Sequence, residues 1–150
     1  MEIITHQTKG SFHMLRLDKG DDILEGVQRL VSQTGLKDAV LLSGIGTLDE
    51  CHMHFVTATN DPSQMEYKKW ANVPLEIASV SGIIADGSPH LHMTVSTTTG
   101  AWGGHVEPGC RTLYLCEFMF MELPGFSLTR KPKNPNEEHT DFLIKMLTAK

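Results

Sequence analysis

From residue 12 to residue 123 the chain returns again and again to short apolar or alternating runs bounded by glycine, proline and polar turns. Runs of that kind read as strands. "FHMLRLDKG" (12–20) alternates and ends at a turn. "DAVLLSGIG" (38–46) is apolar and closed by a glycine loop, and "TLDECHMHFVTA" (47–58) follows as the next strand. After a polar loop, "MEYKKW" (65–70) reads as a short edge strand. "PLEIASVSGIIA" (74–85), "HLHMTVST" (90–97) and "RTLYLCEFMFMEL" (111–123) complete the set. Several of these are apolar on both faces, so the sheet they build must be covered or must face another sheet.

One stretch departs from this habit. "DDILEGVQRLVSQTG" spaces Ile23, Leu24, Val27, Leu30 and Val31 for one face of a helix. Asp22 with Glu25 resembles a capping box, and Gly35 supplies the C-terminal stop. "TRKPKNPN" (129–136) reads as a proline-rich loop, and 137–150 as a weakly amphipathic helix. The pattern predicts an α+β fold: a mixed, mostly antiparallel sheet, one long N-terminal helix and a short C-terminal helix. No repeat or boundary divides it. One domain is expected over 1–150, with its core at about 12–122 and a C-terminal loop and helix over 123–150.

Composition narrows the partners. The 150 residues are 40% hydrophobic and 21% charged, enough to bury a real core. Acidic groups outnumber basic ones 18 to 13, for a formal charge of -5. A free-standing domain of that sign has no bulk attraction to nucleic-acid phosphates or anionic membranes. The most apolar run, 113–123, carries Glu117 and Glu122 and is too short to span a bilayer. The opening residues match neither a signal nor a transit peptide. Cys51, Cys110 and Cys116 contain no Cys-x-x-Cys pair, which argues against a disulfide framework and a zinc ribbon. Free thiols point to a reducing cytoplasm.

The eight histidines are the compositional oddity. His90 and His92 share one face of a strand. A hairpin turning between Thr98 and Thr99 pairs residues whose numbers sum to 197, which sets His105 opposite His92 and Glu107 opposite His90. Directly opposed side chains stand about 4.5–5.5 Å apart at Cβ. A bulge at Gly103 and Gly104 would shift that register. Three converging imidazoles suit zinc or another divalent transition metal and leave a position open for water or a small ligand. The bland alternative is a cross-strand histidine pair on a wet sheet face. A cupin is a poor match: Ser96 and Thr97 stand where its pattern needs a glutamate, and Ile84 where it needs a glycine.

The order "LRLDKGDDILEGVQRL", "LLSGIGTL", "GSPHLHMTVS", "GGHVEPGC" resembles the PPC domain, a family of plant and prokaryotic proteins also catalogued as a domain of unknown function. The likeness runs from about 12 to 122, and the last two motifs are its specific part. It implies a mixed sheet with few helices, assembled as a homotrimer. It also implies a zinc site on the three motif histidines, here His90, His92 and His105. In plants the domain follows an AT-hook, and this chain contains no Arg-Gly-Arg-Pro core.

Other residues are weighed beside these. Ser43, Gly44 and Gly46 could form a ligand-approach loop or simply a tight turn. Glu117 could orient a histidine or pair with Arg16 or Arg111. Trp102, beside Gly103 and Gly104, could line a pocket mouth or pack over the glycines. His52 and His54 repeat the alternate spacing but read as a solvated strand face, and "RKPK" (130–133) as a solvated loop. Three functions follow: a metal-dependent binding domain with catalysis unassigned, a DNA-binding regulator, and a trimeric scaffold. With Glu107, Glu117 and the histidines the only candidates for a general base, the reaction class stays open.

Overall fold

The computed structural model describes residues 10–60, 63–132 and 145–150. Its elements run β1 (Phe12–Asp18), α1 (Ile23–Thr34), β2 (Ala39–Val56), β3 (Met65–Ala85), β4 (Ser88–Thr97), β5 (Gly100–Val106), β6 (Arg111–Glu122), β7 (Leu128–Pro132) and β8 (Lys145–Ala149). Six strands form one sheet in the order β1-β6-β2-β3-β4-β5, and β7 pairs with β8. Every ladder among the described strands is antiparallel. The fold is therefore a mostly antiparallel β structure with one helix among the described residues, not the mixed α+β arrangement expected.

Two mergers of expected strands also depart from the sequence reading. The runs at 38–46 and 47–58 are one strand, β2, because Gly44 and Gly46 serve packing and not a loop. A Cβ on Gly44 would lie 2.3 Å from Val80 Cγ1 and 2.4 Å from Phe118 Cδ1; one on Gly46, at φ 152°, would lie 2.5 Å from Cys116 Sγ. "MEYKKW" and the run from Pro74 likewise form one strand, β3. The pairing steps from Leu48–Leu75 to Glu50–Ala71, and Asn72 takes φ 57° at that bulge. Pro74 sits in the same irregularity, where a missing N–H interrupts no ladder.

The expected C-terminal helix is corrected too. Lys145–Ala149 is a strand registered against Leu128–Pro132, so a backbone partner overrides a weak local pattern. Residues 137–144 lie outside the described residues.

The helix α1 is built as its sequence dictates. Asp22 caps it by accepting from the Glu25 N–H, and Gly35 closes it at φ 71°. Gly26 lets it sit tightly on β1, since a Cβ there would meet Leu17 Cδ2 at 2.3 Å. Leu17, Ile23, Val27, Leu48, Met53, Leu91, Met93, Phe118 and Phe120 make a core at 2% exposure or less. None of the described helices is long and apolar enough to cross a membrane.

Candidate metal centre

The sheet closes on itself. β5 lies along β4 through His92–His105, Met93–Gly104, Thr94–Gly103 and Val95–Trp102, the register set by a turn between Thr97 and Gly100. At its far end β5 also pairs with β2, through Met53–Val106 and His54–His105. Gly104 permits this closure: a Cβ there would stand 2.7 Å from the His54 carbonyl oxygen. No bulge appears at the glycine pair, whose pairing with Met93 and Thr94 is continuous.

Closure gathers four imidazoles and a carboxylate. His90 Nε2 and His92 Nε2 are 3.1 Å apart. The His105 ring lies 4.7 Å from His90 and 5.4 Å from His92, centroid to centroid, and stacks on His54 at 4.4 Å. Glu107 Oε1 is 2.6 Å from His54 Nδ1 and 3.4 Å from His105 Nδ1. The second contact is an ion-pair approach without hydrogen-bond geometry, so His105 Nδ1 is buried with no hydrogen-bond partner among the described residues. Glu107 lies just past the end of β5 and faces His54, not His90 as the hairpin count alone implies.

Burial favours the neutral form of His90, His92 and His105. It is the first cause lowering the pKa of His105, to about 4; the nearby His54 and His90 add to it, Glu107 opposes it and His92 adds slightly. His90 is lowered by burial first, then by the Arg130 charge and the neighbouring His92 and His54. His92 is lowered by burial and by His54. Neutral imidazole is the form that ligates metal.

Sequence reasoning missed two members. By sequence His54 reads as part of a solvated strand face, and its alternate spacing with His52 is the available signal. What that spacing lacks is the β2–β5 closure, which no local pattern encodes. His52 itself stays outside, its Nδ1 3.0 Å from the Pro108 carbonyl oxygen. Arg130 is half-buried in β7, not in a loop, and its Nε has no hydrogen-bond partner among the described residues.

The remaining candidates lie elsewhere. Ser43, Gly44 and Gly46 belong to the β2 stretch paired with β6. Glu117 is opposite Arg16 and Ile45. Neither arginine considered for it is unoccupied: Arg16 pairs with Asp18, and Arg111 with Asp49 and Glu50. Trp102 points to the other face of β5 from His105 and lies 5.5 Å from Trp70, with the Lys68 ammonium 4.9 and 5.2 Å from the two rings. Gly103 borders a small cavity of about 220 Å3 with Ser79, Ser81 and His92. A larger cleft of about 510 Å3 opens beside His105 and Glu107, walled by Asp22, Glu25 and Pro89. A further cavity, about 640 Å3, is lined by Val73, Tyr114 and Thr97, with no histidine among its described lining residues.

An antiparallel β domain closed around a histidine–carboxylate cluster is the class that fold and site define. The chain belongs to the Plants and Prokaryotes Conserved (PCC) domain family, whose model matches residues 4–124. It is 32% identical over 119 residues to the bifunctional protein GlmU of Synechococcus sp. (strain JA-2-3B'a(2-13)), a match covering 79% of this chain and 18% of that protein. The chain thus spans less than a fifth of that relative's length. Among solved structures it is similar to a metal-containing protein from Archaeoglobus fulgidus, at TM-score 0.70 and 23% identity over 97% of this chain and 99% of that one. It is also similar to a protein provisionally named DNA-binding from Ralstonia eutropha, at TM-score 0.72 and 25% identity over 91% and 90% of the two chains.

Proposed function

We propose that this chain is a metal-binding β domain in which His90, His92 and His105 hold one divalent transition metal, zinc first, with a coordination position open to a small ligand. The observation that carries this reading is the meeting of those three rings at the sheet's closure. The donor chemistry fits: imidazoles kept neutral by burial suit zinc, iron, nickel or copper. Glu107 fits as well. Its approach to His105 Nδ1 leaves Nε2 as that ring's donor, and a ligating histidine commonly turns its other nitrogen to a carboxylate. Zinc held by three protein ligands lowers the pKa of bound water to about 7. The cleft beside His105 and Glu107 gives a small ligand access. The metal-containing Archaeoglobus relative supports the same reading.

A second donor set competes. Ligand atoms of His54, His105 and Glu107 all lie within 4.8 Å of one another. Two histidines and a carboxylate with open positions suit iron(II). Metal analysis of protein purified without an affinity tag separates the two. On the three-histidine reading His92→Ala loses the metal; on the other, His54→Ala loses it and His92→Ala keeps it. Absence of metal from wild-type protein supplied with zinc or iron(II) sinks both.

The provisional name of the Ralstonia relative raises a DNA function for this chain. The charge of -5 and the half-burial of Arg130 weigh against it. We expect at most weak, salt-sensitive duplex binding; a sequence-specific submicromolar complex near physiological salt would overturn that. The free state of Cys51, Cys110 and Cys116 supports a reducing compartment such as the cytoplasm.

A further inference from the structure

Behind the metal centre lies a group that the proposed function does not use. Cys51 on β2 and Cys110, one residue before β6, are both buried, and their Sγ atoms are 4.0 Å apart. Glu50–Arg111 is the last registered pair of β2 and β6, so Cys51 and Cys110 follow directly on facing segments. The backbone surrounds Cys110 with partners. The His52 N–H donates to its Sγ at 3.3 Å, and the thiol can donate to the His52 carbonyl at 3.3 Å or the Glu107 carbonyl at 3.5 Å. Cys116, the third thiol, is separate, hydrogen-bonded with Thr112 and the Thr47 carbonyl.

We propose that Cys51 and Cys110 are a reversible oxidation site that closes to an intramolecular disulfide on exposure to a peroxide. The distance to be closed runs from 4.0 Å to the disulfide length of about 2.05 Å. Buried thiols are commonly inert, but this pair lies under the short Glu107–Gly109 turn. Pro108 and Gly109 in that turn are exposed, and Gly109 holds φ 105°. Opening of this turn admits a small oxidant.

The steps balance. The Cys110 sulfur attacks one peroxide oxygen, the O–O bond breaks, and Cys110 sulfenic acid and water form. The Cys51 sulfur then attacks the sulfenic sulfur, the S–O bond breaks, and a second water leaves with the Cys51 proton. Two thiols lose two electrons in all, and one hydrogen peroxide becomes two waters. Cys110 goes first because it directly follows the Glu107–Gly109 turn, and the His52 N–H donates to its sulfur at 3.3 Å.

The pair is tied to the histidine cluster by short chain. Cys51 lies three residues before His54, and Cys110 three residues after Glu107. Disulfide formation removes the thiol donor facing the Glu107 carbonyl and draws these two segments together. The proposal concerns the thiols alone and stands whether or not the histidines hold a metal.

The test treats the full wild-type chain with hydrogen peroxide, blocks remaining thiols with iodoacetamide and maps peptides without reduction. The expected result is one linked peptide pair joining Cys51 to Cys110, short by two hydrogen masses, with Cys116 alkylated; dithiothreitol added after blocking should free Cys51 and Cys110 and leave Cys116 alkylated. The Cys116→Ser variant should give the same link. A link that includes Cys116, a link between two chains, or three alkylated thiols after peroxide that has oxidised methionines would each overturn the proposal.

Discussion

His54 and His105 stack ring on ring, centroids 4.4 Å apart and 20° from parallel, because β5 carries His105 across from β4 to a second partner strand. The contact joins residues 51 positions apart and turns a cross-strand histidine pair into a four-histidine cluster. Glu107 fixes it from outside at 2.6 Å from His54.

That contact makes His54 and His92 distinguishable by mutation. On the three-histidine reading, His92→Ala removes a ligand and should abolish zinc binding, while the fold survives. His54→Ala leaves the ligands in place but frees Glu107, and outer partners of ligands are worth about 10- to 100-fold in metal affinity. His52→Ala should leave zinc content unchanged, since its ring bonds Pro108. Competition titration with a zinc chelator measures all three. Equal loss in the His54 and His52 variants would remove His54 from the site.

Gly104 offers a test of the closure itself. Any side chain there meets the His54 carbonyl oxygen at 2.7 Å and Phe55 Cε1 at 3.1 Å, so β5 and β2 must part. Gly104→Ala should destabilise the protein by about 1–3 kcal/mol, the usual range for forced overpacking. It should also weaken metal binding by moving His105 from His54. Urea denaturation gives the first number and chelator competition the second. An alanine variant of wild-type stability would show that β5 and β2 do not need glycine at this position to close.

What was legible in the sequence was what depends on local period. Alternate spacing puts His90 and His92 on one face, and the turn after Thr97 fixes the His92–His105 register. The helix caps at Asp22 and Gly35 were equally readable. What was not legible depended on distant partners. Glycine at 44 and 46 reads as a loop until Val80, Phe118 and Cys116 are known to crowd it. Residues 145–149 read as helix until Leu128–Pro132 pairs with them. His54 reads as a surface residue until β5 arrives. Local pattern specifies elements; closure between strands far apart in sequence is a tertiary fact.

Assembly should follow from one sheet face. Phe12, Met14, Ile45 and Leu115 project from the same side of β1, β6 and β2 and are 64%, 60%, 57% and 43% exposed in a single chain. An apolar patch on a sheet face is a common site of subunit contact. The expected assembly is a homotrimer, the number implied by the family resemblance. Light scattering should report about three times the 16.6 kDa chain mass, and Ile45→Asp should lower it. A 16.6 kDa particle at micromolar concentration would refute this.

Acid should weaken the metal-free protein through the same rings. His105 has its pKa pushed by burial from the ordinary 6.5 to about 4, and His90 and His92 move in the same direction. The folded ring therefore stays neutral while the unfolded chain takes up a proton, so between those values the unfolded state binds more protons. Stability from this source is fully present above about pH 6.5 and is lost as pH falls toward about 4. One such group contributes a slope of at most about 1.4 kcal/mol per pH unit, and less here because the side chain is 27% exposed. Carboxylates begin to titrate near the lower end, so His105→Gln is the proper reference. Urea midpoints measured from pH 7.5 to about 5 should fall more steeply for the wild type than for His105→Gln. Excess zinc should steepen the wild-type dependence further, because protons compete with the metal for the same nitrogens. Parallel curves for the two proteins without metal would show that His105 titrates as an ordinary solvated histidine.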